Sequence, residues 1–128
     1  MAKAINWPQE FYDEVVSEDM DSLRIAIRPG SIYFDNGYFT DNEVIDIRIN
    51  HKIARKGLIF GDMQLLKIKE LLDEDLAKYK KSLQDKASVI SFLSKNYNQQ
   101  INEESSVTLI TYKNLEAVPP DEDDDPHM

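Results

Sequence analysis

Leu58–Tyr79 reads LIFGDMQLLKIKELLDEDLAKY, and its period changes in the middle. Leu58 to Ile68 is apolar and little interrupted by charge, which predicts a strand buried on at least one face. Gly61-Asp62 within it predicts a bulge or a hairpin corner; a corner would make Leu58–Phe60 and Met63–Ile68 two strands. Leu71, Leu72, Leu76, Tyr79 and Leu83 then recur at helical spacing. The switch falls at Glu70–Asp75, where Asp73 is placed as an N-cap and Glu74 and Asp75 suit the positive end of a helix. A long strand feeding an acid-capped helix is the organising signal of the chain.

Upstream of this stretch the pattern is mostly period two. Residues 1–7 read as a short lead-in, and Pro8 sits where a first helical residue belongs. Phe11, Tyr12, Val15 and Val16 then fall on one side of a helix of about ten residues, with Trp7 as a staple-like core contact just before it. Leu23, Ile25 and Ile27 alternate with Arg24, Ala26 and Arg28 as a half-buried strand, broken by Pro29-Gly30. Ser31–Phe34 resumes as strand, Asp35-Asn36-Gly37 is a turn, and Tyr38-Phe39 follows briefly before Asp41-Asn42 turns again. Glu43–Asn50 is a further strand, His51–Lys56 is a basic segment, and Gly57 marks a turn or bulge.

Downstream, Asp85 is placed to cap a second helix whose apolar residues are Val89, Ile90, Leu93 and Tyr97, with Phe92 beside them; Asn96-Tyr97-Asn98 ends it. Val107–Tyr112 is apolar on both faces, as a central strand is. The order predicts an α+β fold: a curved or barrel-like, mostly antiparallel sheet of five to six short strands, with an N-terminal helix and two helices before the last strand. A single domain is expected over residues 1–115, and the aperiodic stretch 116–128 is expected to be a disordered acidic tail.

The 128 residues are 41% hydrophobic and 30% charged, the balance of a soluble globular domain. The chain has no Cys, which removes disulfides, thiol nucleophiles and Cys-based zinc sites. No apolar run is long enough to span a membrane, and MAKAINWPQE has no signal-peptide core, so a cytoplasmic location and no membrane partner are expected. The net charge of −9 is unevenly spread. Asp121–Asp125 is a run of five acids, whereas residues 22–69 carry eight Lys or Arg against five acids, a surplus of three positive charges that leaves −12 on the flanks. A basic middle in an acidic chain admits an anionic ligand. Arg48, Lys52, Arg55 and Lys56 are the candidate phosphate contacts, with Tyr33, Tyr38 and Phe39 as candidate stacking faces for a base.

Several chemistries are excluded or unsupported. The four glycines form no phosphate-cradling loop, and no Ser sits in a Gly-x-Ser-x-Gly context. Asp73, Glu74 and Asp75 lack the spacing of a calcium loop and read as helix-capping acids. His51, the only internal His, has no carboxylate marked as its partner and reads as a turn residue. No motif calls for a cofactor or a metal.

In element order, residues 22–113 resemble the ASCH family of small PUA-like domains associated with RNA. Ile45-Asp46-Ile47-Arg48 resembles the family's Arg-ending strand, Lys69-Glu70-Leu71-Leu72-Asp73-Glu74-Asp75-Leu76 its acidic helix start, and Ser91-Phe92-Leu93-Ser94 through Val107-Thr108-Leu109-Ile110 its closing helix and strand. The family signature is Gly-x-Lys-x-x-x-x-Arg. With its Arg on Arg48, Asp41 stands where the Gly belongs and Glu43 where the Lys belongs. That Lys is the nucleophile or base that the resemblance would supply to members hydrolysing acetylated cytidine, so the resemblance without it implies binding rather than that hydrolysis. The leading expectation is a non-enzymatic module for RNA or a nucleotide-like anion, whose binding weakens steeply with added salt. The alternatives are a protein-interaction or scaffold subunit, working through the N-terminal helix, Trp7 or the acidic tail, and a hydrolase of a modified nucleoside using Arg48 with Glu43 or Glu70.

Overall fold

Three of the alternating runs form strands where the period-two pattern places them. The computed structural model describes residues 3–117, and in it β2 spans Leu23–Pro29, β3 Val44–Ile49 and β6 Ser106–Ala117. β1 is Ala4–Trp7, β4 Lys52–Ile59 and β5 Gln64–Lys67; the helices are α1 (Tyr12–Ser17), α2 (Ile32–Asp35), α3 (Asp73–Leu76) and α4 (Lys86–Tyr97). The six strands form one sheet in the order β1-β3-β4-β6-β2, with β5 pairing the first half of β6 on the same side as β4. Only β1 and β3 run parallel; every other pair is antiparallel. The fold is α+β with a mixed, nearly closed, barrel-like sheet.

β6 is the central strand that its two apolar faces predict. It pairs β2 along one edge and both β4 and β5 along the other. It also runs further than expected, so Glu116 and Ala117 are strand rather than tail; the rest of the expected tail lies outside the described residues. β3 and β4 are joined by Asn50 and His51, whose φ angles of 49° and 69° make a two-residue turn of the kind that matches strand twist. The basic segment is therefore mostly strand β4. The register of β4 shifts against β6 between Arg55 and Gly57, which is the expected bulge. Gly61, at φ +78°, interrupts the ladder between β4 and β5, which follow one another in the same direction along one edge of β6, so Gly61-Asp62 lies in a bulge-like break and not in a hairpin corner.

Four expectations are corrected. Residues 4–7 are not a lead-in; they form β1, in register with Asp46–Ile49. Ser31–Phe34 is not a strand. Gly30 at φ +82° ends β2, and the Ser31 carbonyl and hydroxyl both bond to Asp35, closing a single helical turn. Tyr38-Phe39 is not strand either. The helix expected from Asp73 to Leu83 is one turn, with Leu72 rather than Asp73 as its N-cap. Leu76, Tyr79 and Leu83 are all buried as their spacing implies, but Lys80 is extended (φ −68°, ψ 145°) and interrupts the helix to turn its ammonium inward. α4 matches its sequence signals: the Asp85 carboxylate accepts from the Ser88 N–H at 2.7 Å, and Asn98 closes it in the left-handed region.

Trp7 is the hub of the core. It is fully buried, and its ring lies 5.5 Å from Phe11, 5.8 Å from Tyr79 and 6.3 Å from Phe92. It thereby ties β1 to the N-terminal helical turn, to the segment after α3 and to α4. At the far side of the sheet, Gly57 allows β4 to approach the interior. A Cβ there would stand 3.2 Å from Ile47 Cδ1 and 3.4 Å from Tyr112 Cδ2. Gly57→Val is expected to lower the urea-unfolding free energy by about 1–3 kcal/mol through overpacking. The same substitution at Gly61 would meet no atom but would be strained by its positive φ.

Candidate functional site

β1 and β2 end the two sides of the strand path, and no ladder joins them among the described residues. Arg28 on β2 spans this seam instead. Its Nη2 donates to the Asn6 carbonyl on β1 at 2.9 Å, and Nη1 donates to its own neighbour's carbonyl, Ile27, at 3.1 Å. Its guanidinium carbon also lies 5.1 Å from the centre of the Trp7 ring. Arg28 is only 6% exposed, yet none of the ion pairs among the described residues includes it. A guanidinium carries about five N–H donors, so roughly three remain after the two carbonyls.

These donors border a cavity of about 260 Å³ at the seam. β1 supplies Ala4, Ile5 and Asn6 to its wall, α4 supplies Phe92 and Asn96 together with Tyr97, and the segment after β2 supplies Tyr33 and Phe39. No Asp or Glu among the described residues lines it. Its amides are half used. Asn6 Oδ1 accepts the His51 N–H at 2.7 Å, and Asn96 Nδ2 donates to the Phe92 carbonyl at 2.9 Å. The Asn6 side chain is thereby held on the β3–β4 turn, and its backbone carbonyl is what faces Arg28. The arrangement offers one desolvated cation, neutral donors and acceptors, and aromatic walls. It can hold a small planar ligand with an anionic group.

The structure separates the residues expected to act together. Tyr33 and Phe39 line the cavity, and Tyr38 packs on both, with centroids 5.1 Å from Tyr33 and 4.7 Å from Phe39. Phe39 is buried, so it forms a wall rather than an open stacking face. Tyr38 carries the Lys3 ammonium over its ring at 4.7 Å. The basic residues lie elsewhere, on β3 and β4. Arg48 Nη2 is 3.3 Å from Asp46 Oδ2 and Nη1 donates to the His51 carbonyl at 3.0 Å, while Lys56 pairs with the other Asp46 oxygen. Lys52 is exposed at the start of β4.

Arg55 turns inward and leaves the phosphate-contact set. It is 1% exposed, and its guanidinium donates to the carbonyls of Val15 and Glu18, each at 2.8 Å, and of Leu115 at 3.0 Å. Burial pushes its pKa down, and the nearby Glu18 carboxylate opposes that. Nor do Arg48, Glu43 and Glu70 converge. Glu43 pairs with Lys3 at 3.1 Å, and Glu70 accepts the Lys67 N–H at 2.7 Å as a cap. His51 sits in the β3–β4 turn, as read from sequence. Trp7 is core rather than a partner contact, and Phe11 and Val15 commit the apolar side of the N-terminal helical segment to the same core.

Sequence reasoning missed Arg28, Asn6, Asn96 and Tyr97. The signal for Arg28 was Ala26, a small apolar residue on the face of β2 read as solvated; in the structure Ala26 is buried and that face is covered. Beside the seam lies a second charged core. Lys80 is 0% exposed, with Nζ 2.9 Å from Glu18 Oε2, 3.4 Å from the Tyr112 hydroxyl and 4.6 Å from the Trp7 ring centre. Glu18 also meets Arg24 Nε at 3.4 Å and accepts from Asn114 Nδ2 at 3.3 Å. Burial pushes the Tyr79 hydroxyl pKa up, in keeping with an apolar surround.

Comparison with family models, curated proteins and solved structures finds no match for the chain. No helix among the described residues is long and apolar enough to cross a membrane.

Two outcomes follow from the charge arrangement. Glu18→Gln leaves the Lys80 ammonium buried without a counter-charge and is expected to cost about 3–5 kcal/mol in urea unfolding. Combining it with Lys80→Met should recover part of that loss, giving a coupling of more than about 1 kcal/mol in a double-mutant cycle. Partial burial would raise the Glu43 pKa, but its bonds to Thr40 and Lys3 outweigh this and hold it below the usual 4.5. A lowered folded-state pKa stabilises above the unfolded value and is lost as pH falls through the folded one. The urea midpoint should therefore drop below about pH 4.5, and Glu43→Gln should make that drop shallower.

Proposed function

We propose that this protein is a PUA-like binding module for RNA or a nucleotide-like anion, and that its site is the seam cavity rather than the basic face of β3 and β4. The observation that carries this reading is Arg28: among the described residues, a buried guanidinium with no acid beside it, bordering a cavity lined by aromatic rings and by no carboxylate. Burying an uncompensated cation is costly, and an anionic ligand would offset that cost in the bound state. Tyr33, with an exposed ring, keeps the stacking role read for it from sequence, and Phe39 is a buried wall of the same half-open site. The cavity, at about 260 Å³, is just below the usual range of ligand sites of about 300 to 1,000 Å³, so it would take at most one nucleotide unit, with part of it toward the open side.

Trp7 is the only Trp in the chain and lies against Arg28, so its fluorescence is a direct reporter. Titration with a pool of the four nucleoside 5′-monophosphates is expected to change Trp7 emission saturably. Arg28→Ala should weaken binding by about tenfold or more, the loss of a charge-assisted hydrogen bond. Arg28→Lys should give a partial loss while preserving the fold, and Arg48→Ala and Lys56→Ala should leave affinity within about threefold. The slope of log K against log salt should be near −0.7 for one phosphate contact. A steep slope, with Arg48 and Lys56 carrying the loss, would move the site to the outer face.

A second reading, a protein-interaction subunit, is favoured by one observation. Ile32 and Phe34 on α2 are 74% and 41% exposed, beside the mouth of the cavity. A stable complex or dimer seen by light scattering, abolished by Ile32→Ser with Phe34→Ser, would support it.

A further inference from the structure

The same cavity restricts how a nucleotide can enter it. This step rests on the reading of the seam as the ligand site. Arg28 is 6% exposed, bonded to carbonyls on both strands of the seam, and borders the cavity, so the cavity is the route to its free donors that the structure shows. An internal phosphodiester carries chain on both sides. To bring it to Arg28, two neighbouring sugars would crowd a half-open space of about 260 Å³ lined by Tyr33, Phe39 and Phe92. A terminal phosphomonoester has one attachment and can lead the way in, with its own sugar and base following toward the mouth.

The donor set fits that group as well. A phosphomonoester presents three acceptor oxygens and a charge of about −1.5 to −2 at pH 7. Arg28 has about three uncommitted N–H donors in a planar fork, which match those oxygens. Toward the mouth, Phe92 and Tyr33 supply ring faces, and the free carbonyl oxygen of Asn96 accepts from a base N–H or amino group. Among the described residues no carboxylate stands in the lining to repel a dianion at close range.

We infer that the cavity recognises a nucleoside phosphomonoester, either free as a mononucleotide or as the phosphorylated end of a single strand, and excludes the interior of a strand. In the bound state the phosphate sits on Arg28, and the base lies between Phe92 and Tyr33.

The test uses the full chain and Trp7 fluorescence, with calorimetry as a second readout. The probes are the pooled nucleosides, the pooled nucleoside 5′-monophosphates, a 5′-phosphorylated tetranucleotide and the same tetranucleotide with 5′-hydroxyl ends. The monophosphates are expected to bind at least tenfold tighter than the nucleosides. The phosphorylated tetranucleotide should likewise bind at least tenfold tighter than its unphosphorylated partner if strand ends are the source. If free mononucleotides are the source, only the monophosphates bind. Affinity should fall as pH drops below about 6, where the phosphomonoester takes up its second proton. Measurable binding of both tetranucleotides with equal affinity would overturn the inference while leaving the cavity as the nucleotide site. Equal binding of nucleosides and monophosphates would overturn it in the same way. No binding of any probe would overturn both readings.

Discussion

The fully buried ammonium of Lys80 is the constraint on which the fold turns. A charge removed from water costs several kcal/mol unless it is paired and hydrogen-bonded. Here the pairing comes from three distant parts of the chain: Glu18 after α1, the Tyr112 hydroxyl on β6 and the face of Trp7 on β1. Satisfying Lys80 therefore fixes the N-terminal segment, the central strand and the stretch after α3 relative to one another. It also explains why the helix predicted through Lys80 breaks there. Trp7, once held by Lys80, presents its ring to Arg28 as well, and Arg28 in turn spans the gap between β1 and β2.

The two buried cations that flank Trp7 are treated differently. Lys80 has a carboxylate; Arg28 has carbonyls, a ring and an open cavity. Arg55, a third buried cation, has its needs met by backbone carbonyls and sits near Glu18. Structural cations in this core are thus enclosed by acceptors, and Arg28 is the one that meets an accessible space. That contrast is the basis for proposing the seam, and not the outer face of β3 and β4, as the ligand site.

The architecture was legible in the sequence because period-two alternation and capping chemistry act locally. β2, β3 and β6 and the capped helix α4 follow from Leu23–Arg28, Glu43–Asn50, Val107–Tyr112 and Asp85. What was not legible depends on contacts distant in sequence. β1 is too short to show a period and becomes a strand only beside β3. The α2 turn replaces strand because Gly30 and the Ser31–Asp35 bonds act together. The site suffered most from this. Net charge pointed to the cluster Arg48–Lys56, but charge counting cannot tell a cation facing water or Asp46 from one facing inward, as Arg55 does. Arg28 looked like an ordinary solvated strand residue until the covered face marked by Ala26 was seen. Tyr33 and Phe39, read from sequence beside Arg48–Lys56, line a cavity with Arg28 instead.

The most direct measurement is a titration of ¹⁵N-labelled protein with the pooled nucleoside 5′-monophosphates, following arginine Nε–H and asparagine side-chain signals. Saturable shifts of Arg28, Asn6 and Asn96, with Arg48 unmoved, are the expected result. Shifts confined to Arg48 and the β3–β4 turn, with the Arg28 signal unchanged, would contradict a ligand site at the seam.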